Sequence, residues 1–110
     1  MKFEDLTGPK LKKALDAKRV RLTYHNRQNG GTGNFGFVII FGDKTKDYKE
    51  DRNEKWFRID GDYNSEKTIR HLSFGSYSGG GARGLEDMSW LELVAYMKDY
   101  VKKSINMKEY

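Results

Sequence analysis

The chain has 110 residues, 36% of them hydrophobic and 34% charged, so its composition predicts one domain with a single modest core. It contains no cysteine, which excludes disulfide frameworks, thiolate zinc sites and cysteine nucleophiles. The first ten residues lack a signal-peptide pattern, and no apolar run approaches the roughly 20 residues of a membrane span. We therefore expect a soluble, cytoplasmic protein.

Positive charge is concentrated in the first third of the chain. The net charge is +5, and residues 1–34 alone carry eight lysines and arginines against three acidic residues. A localised positive field favours a polyanionic partner, such as nucleic acid or an acidic protein surface. The alternative is that these side chains serve only solubility.

A short helix is predicted within residues 1–17. Thr7 or Gly8 can cap it, and Pro9 suits the first helical position because its missing N–H costs nothing there. Leu11 and Leu15 form a narrow apolar stripe, which indicates a helix lying on the surface of a sheet.

Residues 19–27 alternate between apolar and polar side chains, the pattern of a half-buried strand. One face carries Val20, Leu22 and Tyr24. The other face is predicted to point outward and carries Arg19, Arg21, Thr23, His25 and Arg27. Nothing else in the sequence looks as much like a binding surface.

The following segments predict three more strands and the turns between them. A mobile glycine-rich turn over 28–34 leads to a strand over 35–41 that is apolar on both faces and belongs in the middle of a sheet. A mixed-charge loop over 43–55 precedes strands over 55–63 and 68–77. In the strand over 55–63, one face is assigned Phe57, Ile59 and Tyr63, and the other Trp56, Arg58, Asp60 and Asp62. In the strand over 68–77, one face is assigned Arg70, Leu72 and Phe74, and the other Ile69, His71 and Ser73.

The C-terminal part predicts a glycine-rich mobile loop over 78–87 and then the strongest helix of the chain. Ser89 and Glu92 have capping-box spacing at its start, and an apolar stripe runs over three turns. The tail over 104–110 is expected to fray. The order α-β-β-β-β-α predicts one α+β domain over 1–110, with a four-stranded antiparallel meander packed by a short N-terminal and a longer C-terminal helix.

Two glycine motifs match phosphate-binding patterns. Residues 31–38 match G-x-G-x-x-G-x-V, the glycine-rich loop of protein kinases, but the other kinase motifs are missing and the chain is too short. Residues 79–84 match G-x-G-x-x-G, but the second strand of a dinucleotide-binding unit cannot follow the helix. Each loop is therefore a mobile turn or, at most, a source of backbone N–H groups for phosphate.

Catalytic groups are not evident in the sequence. His25 and His71 lie on different predicted strands without a third ligand, and no serine or carboxylate is placed for nucleophilic or acid–base work. The expectation is a non-catalytic protein without a metal or cofactor.

The favoured hypothesis is a small basic domain that contacts nucleic acid through its arginine-rich strand, with aromatic side chains such as Trp56 or Tyr77 stacking on bases. The alternative is a protein-binding inhibitor or accessory factor, of the kind encoded by phages and mobile elements, that docks an acidic or nucleic-acid-binding surface of a larger protein. The candidate contact residues are Lys12, Lys13, Lys18, Arg19, Arg21, His25, Arg27, Trp56 and Arg83.

Overall fold

A computed structural model describes residues 1–41, 56–75, 79–83 and 87–105, with the backbone alone for 79–83 and 104–105. The helices are α1 (Gly8–Leu15) and α2 (Trp90–Tyr100), and a π-helical turn, Val101–Ile105, follows α2. The strands are β1 (Arg19–Arg27), β2 (Gly33–Ile40), β3 (Trp56–Tyr63), β4 (Ile69–Gly75) and β5 (Gly79–Arg83). Among these residues, no helix has both the length and the apolar character needed to cross a membrane.

The described strands form one antiparallel sheet in the order β1-β2-β3-β4-β5. The α+β class, the meander and the two helices are confirmed. The sheet extends one strand further than predicted, because Gly79–Arg83 pairs with β4 inside the segment expected to be a loop. The sequence pattern did not predict this strand, because three of its five residues are glycines, which have a weak preference for strands.

Both helices pack on the same face of the sheet. The core joins Leu11 and Leu15 of α1 and Leu93 and Met97 of α2 to apolar side chains of the sheet. Those sheet residues are Phe35, Phe37, Ile39, Phe57, Ile59, Tyr63, Ile69, Leu72 and Phe74. We call this the helix-covered face, and the opposite face the helix-free face.

The predicted caps explain where the helices begin. The Thr7 side chain accepts a hydrogen bond from the Lys10 N–H at 3.4 Å, with Pro9 in the first turn of α1. The Ser89 hydroxyl oxygen accepts from the Glu92 N–H at 3.1 Å at the start of α2. Each cap satisfies a backbone donor that the helix itself leaves without an acceptor.

Strand β1 contains a β-bulge at Thr23. Leu22 pairs with Phe37 of β2, and Tyr24 pairs with the neighbouring Gly36, so Thr23 is the extra residue. Because side chains alternate between faces along a strand, one extra residue reverses the alternation beyond it.

The bulge divides the arginine face predicted from the sequence. Arg19 and Arg21 precede the bulge and lie on the helix-free face, in register with Ile40 and Val38 of β2. His25 and Arg27 follow the bulge and lie on the helix-covered face. The single outward face predicted for all of them is therefore wrong, and Tyr24, predicted to point inward, lies on the helix-free face.

A second irregularity corrects the predicted faces of β4. Asp62 pairs with His71 and Tyr63 pairs with Ile69, which leaves Arg70 as the extra residue. Ile69 is consequently buried in the core, on the same face as Leu72, whereas the sequence pattern placed it opposite.

The predicted loops are partly ordered structure. The segment 28–34 forms a 3₁₀ turn, Asn29–Gly31, and its last two residues begin β2. The segment 78–87 contains β5. The predicted loop over 43–55 lies outside the described residues, as do Tyr77 and residues 106–110 of the predicted tail.

Gly36 is required by the close approach of Tyr24. A Cβ atom at Gly36 would overlap the Tyr24 ring and would come within 2.9 Å of the Thr23 hydroxyl oxygen. With hydrogen alone at this position, the Tyr24 ring lies across β2 and its hydroxyl donates to Asp60 Oδ1 of β3 at 2.7 Å. Gly36 thus lets one side chain connect three strands.

We expect Gly36→Ala to lower the free energy of unfolding by about 1–3 kcal/mol, because the methyl group displaces the Tyr24 ring. Gly75→Ala is the matched control, since its Cβ would meet the Arg58 guanidinium at an ordinary 3.5 Å. Urea unfolding followed by circular dichroism measures both variants. Equal, small losses at the two positions would contradict tight packing over Gly36.

Candidate nucleic-acid interface

The helix-free face is basic at one end of its strands and acidic at the other. Strand register places Arg19 and Arg21 of β1 beside Trp56 and Arg58 of β3, with the apolar side chains of β2 between them. Beyond the bulge the same face carries Tyr24, Asn26, Asn34, Asp60, Asp62, His71 and Ser73. We call the first group, Arg19, Arg21, Trp56 and Arg58, the basic half, and the second group the acidic half.

The basic half consists of two rows of side chains across β1, β2 and β3. Ile40 pairs with both Arg19 and Trp56, and Val38 pairs with both Arg21 and Arg58. Adjacent strands lie about 4.8 Å apart, so the two outer members of each row are separated by about 10 Å at the backbone. The prediction that Trp56 and Arg58 share a polar face of β3 is confirmed.

The structure places one of the three predicted lysines next to the basic half. Lys12 and Lys13 are exposed in the last turn of α1, and Lys18 is the exposed residue immediately before β1. Lys18 is next to Arg19 in the chain, but α1 packs on the helix-covered face, so Lys12 and Lys13 lie on the other side of the sheet from Arg19 and Arg21. The structural alternative for Lys12 and Lys13 is that they complement the helix dipole at the C-terminus of α1.

The cations of this end have few acidic neighbours. Residues 17–27, which include Lys18, Arg19 and Arg21, contain no acidic residue. In the described part of the chain, no ion pair involves Lys12, Lys13 or Arg21. Arg58 contacts Asp60 at 3.3 Å, an exposed pair that holds the guanidinium only weakly.

The acidic half surrounds a cavity of about 490 Å³. Asp62 Oδ2 lies 3.1 Å from His71 Nε2, and Asp60 accepts the hydrogen bond from Tyr24. Burial, then the hydrogen bond to Asp60, raises the pKa of Tyr24 to about 12, so the phenol remains a donor at neutral pH. The full lining is Tyr24, Gln28, Thr32, Gly33, Asn34, Asp60, Gly61, Asp62, Tyr63, His71 and Ser73.

Two residues proposed for the strand surface are not part of the basic half. His25 lies in an aromatic cluster on the helix-covered face, with its ring centroid 4.6 Å from that of Phe3 and its Nε2 2.7 Å from the Tyr63 hydroxyl. Arg27 is on the same face, six residues and about 20 Å along β1 from Arg21. Burial first, and then the charges of Arg27 and Lys67, lower the pKa of His25.

The sequence predicts Arg83 in a loop, but the structure places it at the end of β5. It pairs with His71 in the register of β4 and β5. Strand β5 is at the opposite edge of the described sheet from β1, so the structure does not bring Arg83 to the basic half.

Sequence reasoning missed two features of this face. The sequence assigns Arg58 to the same face of β3 as Trp56 but does not include it among the binding residues. Its position two residues after Trp56, a predicted contact residue, is the pattern that indicated a shared binding face. The contact of His71 with Asp62 joins residues of two strands, and their register depends on the irregularity in β4. No pattern local to either strand predicts that contact.

Comparison with known proteins finds no matching family model, no matching curated sequence and no matching solved structure. No group of three or more potential metal ligands occurs within the described residues. Function is therefore inferred from the side chains and their placement.

The environment of His25 predicts a pH-dependent stability. A lowered pKa means that the fold favours the neutral ring, so stability is complete above the unfolded value of 6.5 and falls as the pH drops toward the folded value. His25→Gln removes this titration, and we expect its melting temperature to decline less than that of the wild type between about pH 8 and about pH 5.5. The difference between the two thermal-denaturation curves isolates the contribution of His25. Parallel curves would contradict the assignment.

Proposed function

We propose that this protein is a small, non-catalytic binding protein of the cytoplasm that contacts nucleic acid through the basic half and the adjoining Lys18. The observation that carries the proposal is the gathering of Arg19, Arg21 and Arg58 on one end of the helix-free face, with the exposed Lys18 next to Arg19 in the chain. Phosphate groups bind such clusters because each contact releases condensed counterions from the nucleic acid.

The geometry of the basic half suits a phosphate backbone. The two rows of the basic half are two residues apart along each strand, about 6.6 Å, which is close to the spacing between phosphates of an extended single strand. Trp56 lies in the same row as Arg19, and the exposed part of its partly buried side chain offers a stacking surface for a base. A single strand that runs parallel to β1 and crosses both rows would contact Arg19 and Arg21 with successive phosphates, while its bases extend across β2 toward the indole.

The acidic half limits where the nucleic acid lies. Asp60 and Asp62 repel phosphates, so the backbone is confined to the end of the sheet before the bulge. The position of the basic half excludes Lys12, Lys13, His25, Arg27 and Arg83 from the contact and adds Arg58 to it.

Salt-dependent binding tests the proposal. Affinity for labelled single-stranded and double-stranded DNA and RNA is measured by fluorescence anisotropy at several salt concentrations, starting at about 50 mM. We expect Arg21→Glu to weaken binding by about tenfold or more and to reduce the slope of log K against log salt by about one, because one phosphate contact is lost.

Lys98→Glu is the charge-matched control. Lys98 is exposed on α2, away from the helix-free face, so the same change in net charge should leave most of the affinity intact. Equal losses for the two variants would indicate a non-specific effect of net charge. The absence of binding to every nucleic acid at about 50 mM salt would overturn the proposal.

A second candidate function is supported by the position of β1. It is an edge strand, and in the described part of the chain no strand pairs with its outer side. A partner protein can add a strand to such an edge, and the exposed Leu22 and Arg21 would then meet side chains of that strand. This is the inhibitor or accessory-factor hypothesis, with an acidic partner.

Arg21→Glu and a second variant of β1, Leu22→Asp, distinguish the two functions. A protein partner that pairs with β1 should lose affinity with Leu22→Asp as well as with Arg21→Glu, because both side chains flank the edge. Phosphate binding should respond strongly to Arg21→Glu and little to Leu22→Asp, which lies on the other face. Affinity for a purified acidic partner or for nucleic acid is the measured quantity in each case.

A further inference from the structure

The turn between β1 and β2 contains an asparagine followed by a glycine, Asn29–Gly30. The backbone nitrogen that follows an asparagine can attack the side-chain carbonyl carbon and close a succinimide ring. Glycine hinders this attack least, because it has no side chain and permits the widest range of backbone conformations. Both residues are exposed, and Gly30 has a φ of 79°, in the left-handed region.

The hydrogen bonds of this turn leave the two reacting groups unrestrained. The Thr32 hydroxyl donates to the Asn29 backbone carbonyl oxygen at 3.3 Å, and the Gln28 N–H donates to the Thr32 carbonyl oxygen at 2.9 Å. Neither contact holds the Asn29 side-chain amide or the Gly30 nitrogen. These two groups can therefore meet without any separation of β1 from β2.

The other asparagines within the described residues are held in place. Asn64 also precedes a small residue, a serine, but its Oδ1 accepts hydrogen bonds from the Glu66 and Thr68 N–H groups, each at 3.0 Å. Asn26 and Asn34 pair with each other between β1 and β2, and each precedes a bulky side chain. Reaction at any of these positions requires local opening of the structure first.

We propose that Asn29 is a site of spontaneous deamidation. The Gly30 nitrogen forms a bond to Cγ of Asn29, the Cγ–Nδ2 bond breaks, and ammonia leaves with the proton of the Gly30 N–H. Water then opens the succinimide at either of its carbonyl groups, which gives aspartate or isoaspartate at position 29. The reaction needs water and no other reactant.

Deamidation adds a negative charge at the tip of the β1–β2 hairpin. Gln28 and Thr32, on either side of the turn, line the cavity of the acidic half, so the new carboxylate lies close to that cavity. The isoaspartate product also lengthens the backbone of the turn by one methylene group. The basic half is at the other end of β1, so the modification is independent of nucleic-acid binding.

Peptide mapping by mass spectrometry tests the proposal on the full chain, incubated at about 37 °C and about pH 8. We expect a mass gain of about 1 Da at Asn29, divided between aspartate and isoaspartate forms that chromatography separates. Deamidation at Asn29 should be at least about tenfold faster than at Asn26, Asn34 or Asn64, because those residues react only after local opening. Equal rates at Asn29 and Asn64 would overturn the proposal.

A parallel incubation in guanidinium chloride separates the effect of the fold from that of the sequence motif. Unfolding releases the Asn64 side chain, so its rate should rise by about tenfold or more, whereas the rate at Asn29 should rise by less than about threefold. A similar acceleration at both residues would mean that the folded turn protects Asn29, which contradicts the proposal.

Gly30→Ala tests the attacking nitrogen. Its methyl group would meet no atom within 4 Å, so the variant adds hindrance beside that nitrogen without a clash, and we expect deamidation to slow by about tenfold or more. Gly31→Ala is the matched control, because Gly31 has the same φ of 79° but does not supply the nitrogen. An unchanged rate in a folded Gly30→Ala variant, or equal slowing in both variants, would also overturn the proposal. The comparison of asparagines in the wild type decides the outcome if Gly30→Ala does not fold.

Discussion

The extra residue at Thr23 determines how charge is distributed over this sheet. Before it, β1 presents Arg19 and Arg21 to the helix-free face; after it, the strand presents Tyr24 there and turns His25 toward the helices. Without the bulge, a nine-residue strand of this sequence would carry a single stripe of cations along its length. With it, the positive side chains are confined to one end of the face, and an aromatic hydroxyl meets the carboxylates at the other.

The bulge also makes room for the contact that joins the first three strands. Tyr24 lies over Gly36 and donates to Asp60, while the Thr23 hydroxyl donates to the Gly36 carbonyl oxygen at 3.0 Å. These contacts hold the boundary between the basic and acidic halves at a fixed row of the sheet. Alternation alone would have placed His25 on the helix-free face. The bulge turns it to the other face, where its ring forms an aromatic cluster with Phe3 and Tyr63.

The sequence predicted those features that depend on local pattern. The caps at Thr7 and Ser89, the interior position of the apolar strand, and the shared face of Trp56 and Arg58 all follow from residue type and spacing. The features it did not predict depend on pairing between strands. A bulge is invisible until the partner strand is known, and β5 is recognised by its pairing with β4 because its glycines have little strand preference. The division of the arginine face and the contact between His71 and Asp62 are consequences of that pairing.

The basic and acidic halves meet at the ion pair between Arg58 and Asp60. Because the pair is exposed, it contributes little, at most roughly 1 kcal/mol. A phosphate would therefore draw the Arg58 guanidinium away from Asp60 at a small cost in free energy, and the Asp60 carboxylate would still repel any phosphate placed beyond that row of the sheet.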